Sequence, residues 1–93
     1  MRFFMNEIKA IVTGMVQGVF FRATVKDHAS SFSLTGYAKN LDDGSVEIVA
    51  QGSKEDLEKF LQKVKENPGK AQIKKVSFSY RESTQSFENF KIL

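Results

Sequence analysis

The chain changes from a strand pattern to a helix pattern at Gly14-Met15-Val16-Gln17-Gly18-Val19-Phe20-Phe21-Arg22. Before this stretch, over about residues 6–13, apolar and polar residues alternate, which predicts a strand. After it, apolar residues recur at spacings of three and four, which predicts one buried stripe of a helix. The stripe consists of Phe21, Val25, Ala29 and Phe32. The stretch is therefore interpreted as the turn that joins a first strand to a first helix.

This turn has the properties of an oxyanion site. Glycines at positions 14 and 18 let the backbone approach a ligand closely, and the first amides of a helix have no partner within it. Arg22 adds a permanent planar cation that matches two phosphate or carboxylate oxygens at once. The glycine spacing by itself favours an ordinary turn with a surface arginine, and the stretch fits neither a P-loop nor a dinucleotide fingerprint. The residue types together predict oxyanion binding, with phosphate as the favoured ligand.

Length and composition limit the chemistry that the chain can perform. Its 93 residues predict one small domain over residues 1–93, with a formal net charge of +3. The chain has no cysteine and one histidine, which excludes a disulfide, a thiolate nucleophile and a cluster of imidazole ligands. We therefore expect neither a metal site nor a cofactor.

The sequence contains no segment that predicts export or membrane insertion. The N-terminal segment, residues 1–5, has too few successive apolar residues for a signal peptide, and no later run is long enough to span a membrane. We expect a cytoplasmic monomer with no membrane partner. Its mild positive charge suits small anionic substrates or, nonspecifically, nucleic acid, and does not decide between them.

The middle of the chain predicts a hairpin followed by a helix. A second strand is predicted over residues 34–40 and a third over residues 46–51, joined by a turn at Asp42-Asp43-Gly44. Ser53 is predicted to cap a second helix, which ends at Asn67-Pro68-Gly69. The buried stripe of this helix is Leu57, Phe60, Leu61 and Val64.

Two further strands complete the pattern. A fourth strand is expected from Ile73 to Tyr80, with a bulge or a late start where its phase breaks at Lys74 and Lys75. A short last strand is expected over residues 87–92. The order is βαββαβ with an extra edge strand, which predicts an α+β, ferredoxin-like sandwich consisting of an antiparallel sheet with two helices on one face.

This topology brings two distant parts of the chain together. A right-handed crossover makes the first two strands parallel, so their carboxyl ends lie at the same edge of the sheet. The glycine turn leaves the first strand, and Asn40 ends the second. With the third strand between them, the two ends are expected about 10 Å apart, from two spacings of roughly 4.8 Å. A small ligand and long side chains can bridge that distance.

A second motif contains Asn40. Gly36-Tyr37-Ala38-Lys39-Asn40 is followed by Gly44, Val46 and Gly52. The two motifs resemble the signatures of the acylphosphatase family, G-x-V-Q-G-V-x-F-R and G-[FYW]-[AV]-[KR]-N-x-x-x-G-x-V followed by five residues and glycine. Every fixed position matches, and the order of strands and helices is similar along nearly the whole chain.

The resemblance implies hydrolysis of an acyl phosphate, a small-molecule substrate, to a carboxylate and inorganic phosphate. Arg22 would hold the phosphoryl oxygens together with main-chain amides of the Gly14–Phe20 loop, and Asn40 would hold the attacking water in line with the bond that breaks. Neither side chain can deprotonate that water, so the substrate phosphate is predicted to accept its proton. The loop amides assigned to phosphate are those of Met15, Val16, Gln17, Gly18 and Val19.

Two other classes of function remain as alternatives. RRM-type RNA-binding modules share the βαββαβ order, but they carry aromatic residues on their third strand, whereas Ser45 to Gln51 has none. A non-catalytic sensor of an acyl phosphate, a carboxylate or another anion would keep Arg22 and the loop without needing Asn40. His28 is expected to be exposed and without a catalytic role, and the sequence assigns no role to Phe20, beyond a possible pocket wall, or to Tyr37.

Overall fold

A computed structural model describes residues 5–93; residues 1–4, which begin the N-terminal segment considered above, lie outside the described part. The first strand, β1, runs straight into the glycine-containing turn, and the first helix begins at Phe21. The elements are β1 (Met5–Met15), α1 (Phe21–Ser31), β2 (Thr35–Asn40), β3 (Val46–Gly52), α2 (Lys54–Glu66), β4 (Gln72–Ser83) and β5 (Phe90–Ile92). Neither helix within residues 5–93 is long and apolar enough to cross a membrane.

The strands form one sheet in the order β4-β1-β3-β2-β5. Because β1 and β2 both pair antiparallel with β3, they run parallel to each other with β3 between them, as the crossover predicts. This order of strands and helices confirms the α+β, ferredoxin-like prediction.

One detail of the sheet prediction is wrong, because β5 pairs parallel with β2 and the sheet is mixed. Residues 84–89 carry the chain from β4 at one edge of the sheet to β5 at the other edge. Four strand spacings of roughly 4.8 Å, about 19 Å in all, are within reach of such a segment. The last residues of β4 and the first residues of β2 lie at the same end of the sheet, although on opposite sides of it. The chain re-enters the sheet at that end, so β5 runs parallel to β2.

The core lies between one face of the sheet and the two helices. Alternate residues of β1 and β3 point into it, because side chains of a strand alternate between the two faces. The predicted stripe of α2 is fully buried, and that of α1 is buried except at Phe32, which caps the helix and is only partly covered. The strand residues buried here are Ile8, Ala10, Val12, Val46, Ile48 and Ala50.

The predicted bulge in β4 is present and explains why residue 14 is a glycine. Thr13 pairs with Lys75 and Gly14 with Ile73, so Lys74 is the extra residue. Gly14 has a φ of 129°, and a Cβ there would lie 2.2 Å from the carbonyl oxygen of Gln72. The missing side chain at position 14 thus serves the packing of β1 against β4, in addition to any approach of a ligand.

The opposite face of the sheet is partly covered by the segment 84–89, which Gln51 holds in place. Gln51 Nε2 donates to Glu7 Oε1 at 2.9 Å and to the carbonyl oxygen of Gln85 at 2.7 Å. Its Oε1 accepts from the amide of Phe87 at 3.3 Å, and Arg81 forms an ion pair with the buried Glu7. The last strand therefore begins at Phe90, and the prediction that it begins at Phe87 is wrong.

Candidate active site

Three side chains fix the turn between β1 and α1. Val16 is buried in the core, and Val19 packs against it. Gln17 Nε2 donates to the carbonyl oxygens of Leu41 at 2.8 Å and of Ser45 at 2.9 Å. These bonds join the turn to the loop that follows β2, so two segments distant in sequence form one rigid unit.

The main-chain amides of this turn are free to bind an anion. Among residues 5–93, the loop and turn hydrogen bonds include none donated by the amides of residues 16–19, and no side chain caps the start of α1. Gly18 has a φ of 74°, a left-handed conformation that glycine adopts without strain. Unpaired amides at the positive end of a helix are suited to phosphate or carboxylate oxygens.

Arg22 lies in the first turn of α1 and is half-buried. Its Nη1 donates to the main-chain oxygen of Leu93 at 2.6 Å. The amide of Leu93 donates in turn to the carbonyl oxygen of Ala38 at 2.9 Å. Leu93 therefore connects the guanidinium group to the carboxyl-terminal part of β2. The contact is at Ala38, two residues before Asn40, the predicted water-binding residue.

Asn40 is the last residue of β2, as predicted, and its side chain carries an unused acceptor. The Oδ1 atom is buried and has no hydrogen-bond partner among residues 5–93. A buried acceptor without a partner costs about 1–3 kcal/mol, so a water or a ligand atom is expected to satisfy it. Asn40 shares a row of the sheet with Val46 and Val12, which places it roughly 10 Å from β1 by two strand spacings.

A cleft of about 410 Å³ opens beside the turn. Arg22 is the only charged residue within 5–93 that lines this cleft, and Val16 and Gly18 of the predicted phosphate loop line it as well. Met15, Gln17, Val19 and Asn40 do not line it. The cleft is lined by Val16, Gly18, Phe20, Phe21, Arg22, Ala23 and Ile92.

The loop residues outside the cleft have side chains that point elsewhere. Met15 is exposed, Gln17 reaches the β2–β3 loop and Val19 contacts the core. None of these three side chains lines the cleft, and the sequence predicts phosphate binding by their main-chain amides only. The structure thus gathers Val16, Gly18 and Arg22 around the cleft and places Asn40 at the end of β2, outside the cleft lining.

Two contributors to this region have no signal in the sequence. Ile92 lines the cleft, and the main chain of Leu93 contacts Arg22. Both depend on the parallel pairing of β5 with β2, which no local pattern specifies. A main-chain oxygen also binds an arginine whatever its own side chain is, so residue identity could not have identified Leu93.

The titratable groups near these loops are engaged elsewhere. Asp43 Oδ1 accepts from the hydroxyl of Ser45 and from its amide, the latter at 2.9 Å, and these bonds lower the pKa of Asp43. Burial and a hydrogen bond to Glu47 raise the pKa of Tyr37 to about 12. His28 is half-buried, not exposed as expected, because its Nε2 lies 2.7 Å from the carbonyl oxygen of Asn67. Among residues 5–93, no three acidic, histidine or cysteine side chains cluster as a metal site requires.

Comparisons with known proteins give one consistent result. The family model described as Acylphosphatase matches residues 8–92. An acylphosphatase of Dehalococcoides mccartyi (strain CBDB1) is 42% identical over 89 residues, 95% of this chain and 98% of that protein. An acylphosphatase of Thermus thermophilus is 45% identical over 78 residues, 84% of this chain and 89% of that protein. The crystal structure of acylphosphatase from Bacillus subtilis is similar with a TM-score of 0.90 at 36% identity, covering 96% of this chain and 99% of that one.

Proposed function

Because the chain belongs to the acylphosphatase family and is an enzyme that hydrolyses acyl phosphates, we propose that Arg22, Asn40 and main-chain amides of the Gly14–Phe20 loop perform that reaction. The observation that carries this proposal is the buried Oδ1 of Asn40, which has no partner among residues 5–93. An acceptor in that state, at the end of the strand beside Arg22, is suited to holding a water molecule.

The phosphoryl group binds first, between Arg22 and the turn. Its oxygens accept from the guanidinium group and from the amides of residues 15–19, of which those of residues 16–19 have no acceptor in loops or turns within residues 5–93. The Nη1 atom of Arg22 is held by Leu93, which leaves the other guanidinium donors for the ligand. Charge that develops on the phosphoryl oxygens in the transition state is stabilised by donors already in place.

Asn40 then orients the nucleophile. Its Oδ1 accepts a hydrogen bond from a water molecule, whose oxygen attacks phosphorus in line with the acyl oxygen. The P–O bond to that oxygen breaks, and the carboxylate leaves with its electron pair. The proton of the water passes to a phosphoryl oxygen, so the products are a carboxylate and inorganic phosphate.

No protein acid or base is needed for this scheme. Arginine stays protonated in proteins and a neutral amide neither gains nor loses a proton. A carboxylate is a good leaving group and requires little protonation. Phosphoryl transfer depends mainly on positioning and on charge stabilisation, which the turn, Arg22 and Asn40 supply.

The two alternatives have weaker support. A sensor would not need the unpaired Asn40 Oδ1. An RNA-binding module would need aromatic residues on the sheet face that contacts RNA, whereas the face of β1 and β3 that points away from the helices carries none, and Glu7, Val49 and Gln51 on it are buried. We further propose a cytoplasmic, single-domain monomer over residues 1–93 that does not bind nucleic acid.

The pH dependence tests the absence of a protein acid or base. We expect the kcat/KM profiles of the wild-type protein and of His28→Ala, measured with benzoyl phosphate in EDTA from about pH 5 to 9, to superimpose. His28 contacts Asn67 and does not line the cleft. A bend near the usual pKa of histidine that disappears in His28→Ala would contradict the scheme.

A further inference from the structure

Phe20 has an unusual backbone conformation for its residue type. With a φ of 60° and a ψ of 23° it lies in the left-handed region, immediately before α1. Glycine and asparagine adopt this conformation readily, whereas a bulky aromatic residue there is an outlier. Strained residues of this kind concentrate at functional sites, where the surrounding structure holds them in place.

Packing of the Phe20 side chain against the core does not compensate for this backbone strain. It is 82% exposed, whereas the neighbouring Phe21 is 1% exposed. A phenyl ring that is both strained at its backbone and left in water does not stabilise the fold. The combination suggests that the ring contacts something other than the core.

Phe20 lines the same cleft as Arg22. Phe20 and the half-exposed Ile92 both line it, together with three buried or partly buried apolar residues. Once Arg22 holds a phosphoryl group, no other charged side chain of the described part of the chain lines the cleft. An acyl group bound there would meet mainly apolar surface, and residues 5–93 supply no second cation for another carboxylate or phosphate. The three remaining apolar residues are Val16, Phe21 and Ala23.

We propose that Phe20 determines acyl specificity and that its ring packs against the apolar, planar acyl group of an aromatic acyl phosphate. This inference rests on the proposed function, because it takes the phosphoryl group to be held by Arg22. The cleft volume of about 410 Å³ falls within the range of roughly 300–1,000 Å³ that is usual for small-ligand sites. Offset or edge-on contact with an aromatic ring favours a planar aromatic group over a methyl group.

Two substitutions separate the ring from the backbone. Phe20→Gly removes the ring and keeps a residue that adopts positive φ without strain, so the turn retains its conformation. Phe20→Leu keeps an apolar side chain without a planar face. Phe78→Ala serves as a matched control, because Phe78 is a half-exposed ring on β4 that does not line the cleft.

The test compares KM for benzoyl phosphate and for acetyl phosphate, with the inhibition constant of inorganic phosphate as a third readout. In Phe20→Gly we expect KM for benzoyl phosphate to rise about tenfold, and KM for acetyl phosphate and the phosphate constant to change by no more than about twofold. Phe20→Leu is expected to lie between these values, and Phe78→Ala to match the wild-type protein.

An equal change in KM for both substrates, or none for either, would overturn the role of Phe20 while leaving the proposed function in place. A weaker phosphate inhibition in Phe20→Gly would also overturn it, because the substitution would then act through the turn. Failure of the wild-type protein to hydrolyse either substrate would contradict the proposed function itself, and this outcome is distinguishable from the others.

Discussion

Arg22→Ala is expected to lower kcat/KM for benzoyl phosphate by about a thousandfold or more and to abolish measurable inhibition by inorganic phosphate. Among residues 5–93, Arg22 is the only charged residue that lines the cleft, so no other cation of this part of the chain is placed to replace it. Its guanidinium group can also hold two phosphoryl oxygens at once, which a single amide cannot do. Steady-state kinetics with phosphate as a competitive inhibitor measures both effects.

Arg22→Lys is the matched variant for this prediction. It keeps the positive charge but loses the planar fork, and we expect an activity between those of the wild-type protein and Arg22→Ala. Because Arg22 also contacts Leu93, circular dichroism must show that both variants are folded. Activity of folded Arg22→Ala within tenfold of wild type would remove Arg22 from the mechanism.

Asn40→Ala is expected to lower kcat by about a hundredfold or more, because loss of one preorganised polar contact costs ~3 kcal/mol of transition-state stabilisation. Phosphate inhibition should be nearly unchanged, since Asn40 acts on the water and not on the phosphoryl group. The different response of these two quantities distinguishes the role of Asn40 from that of Arg22.

Thermal stability provides an independent readout for Asn40. Its buried Oδ1 has no partner among residues 5–93, so removing the side chain deletes an unsatisfied acceptor and should not lower Tm by more than a few degrees. Activity lost without stability lost is the expected result. Turnover near that of wild type, or a loss that accompanies unfolding, would contradict the assigned role.

Features that depend on local pattern were predictable from the sequence. The buried stripe of α2 and the end of β2 at Asn40 follow from periodicity. The broken phase around Lys74 locates the bulge correctly. The topological rule that makes β1 and β2 parallel also places the turn and Asn40 at the same edge of the sheet.

Features that depend on contacts between distant segments were not predictable. The start of β5 is set by Gln51, whose side chain binds the segment that includes Phe87 across the sheet. The orientation of Gln17 depends on carbonyl oxygens of the β2–β3 loop. His28 lies against the end of α2 because its ring contacts the carbonyl oxygen of Asn67, which is distant in sequence. Neither spacing nor composition distinguishes these contact partners from the other polar residues of the chain.

The left-handed conformation of Phe20 is also invisible to pattern reasoning. In the sequence, helical spacing predicts that Phe21 is buried, but no local pattern specifies the backbone conformation or the exposure of the adjacent Phe20. The structure buries Phe21 and exposes Phe20. The exposure of Phe20, together with its positive φ, supports a role for its ring in acyl specificity.

The measurement that tests the central claim most directly is hydrolysis of benzoyl phosphate by the wild-type protein in water enriched in ¹⁸O. The mechanism places the attack of the Asn40-bound water at phosphorus, so mass spectrometry should find the label in inorganic phosphate after a single turnover. The benzoate should be unlabelled. Label in the benzoate would mean that water attacks the carbonyl carbon, and it would contradict the assigned roles of Arg22 and Asn40.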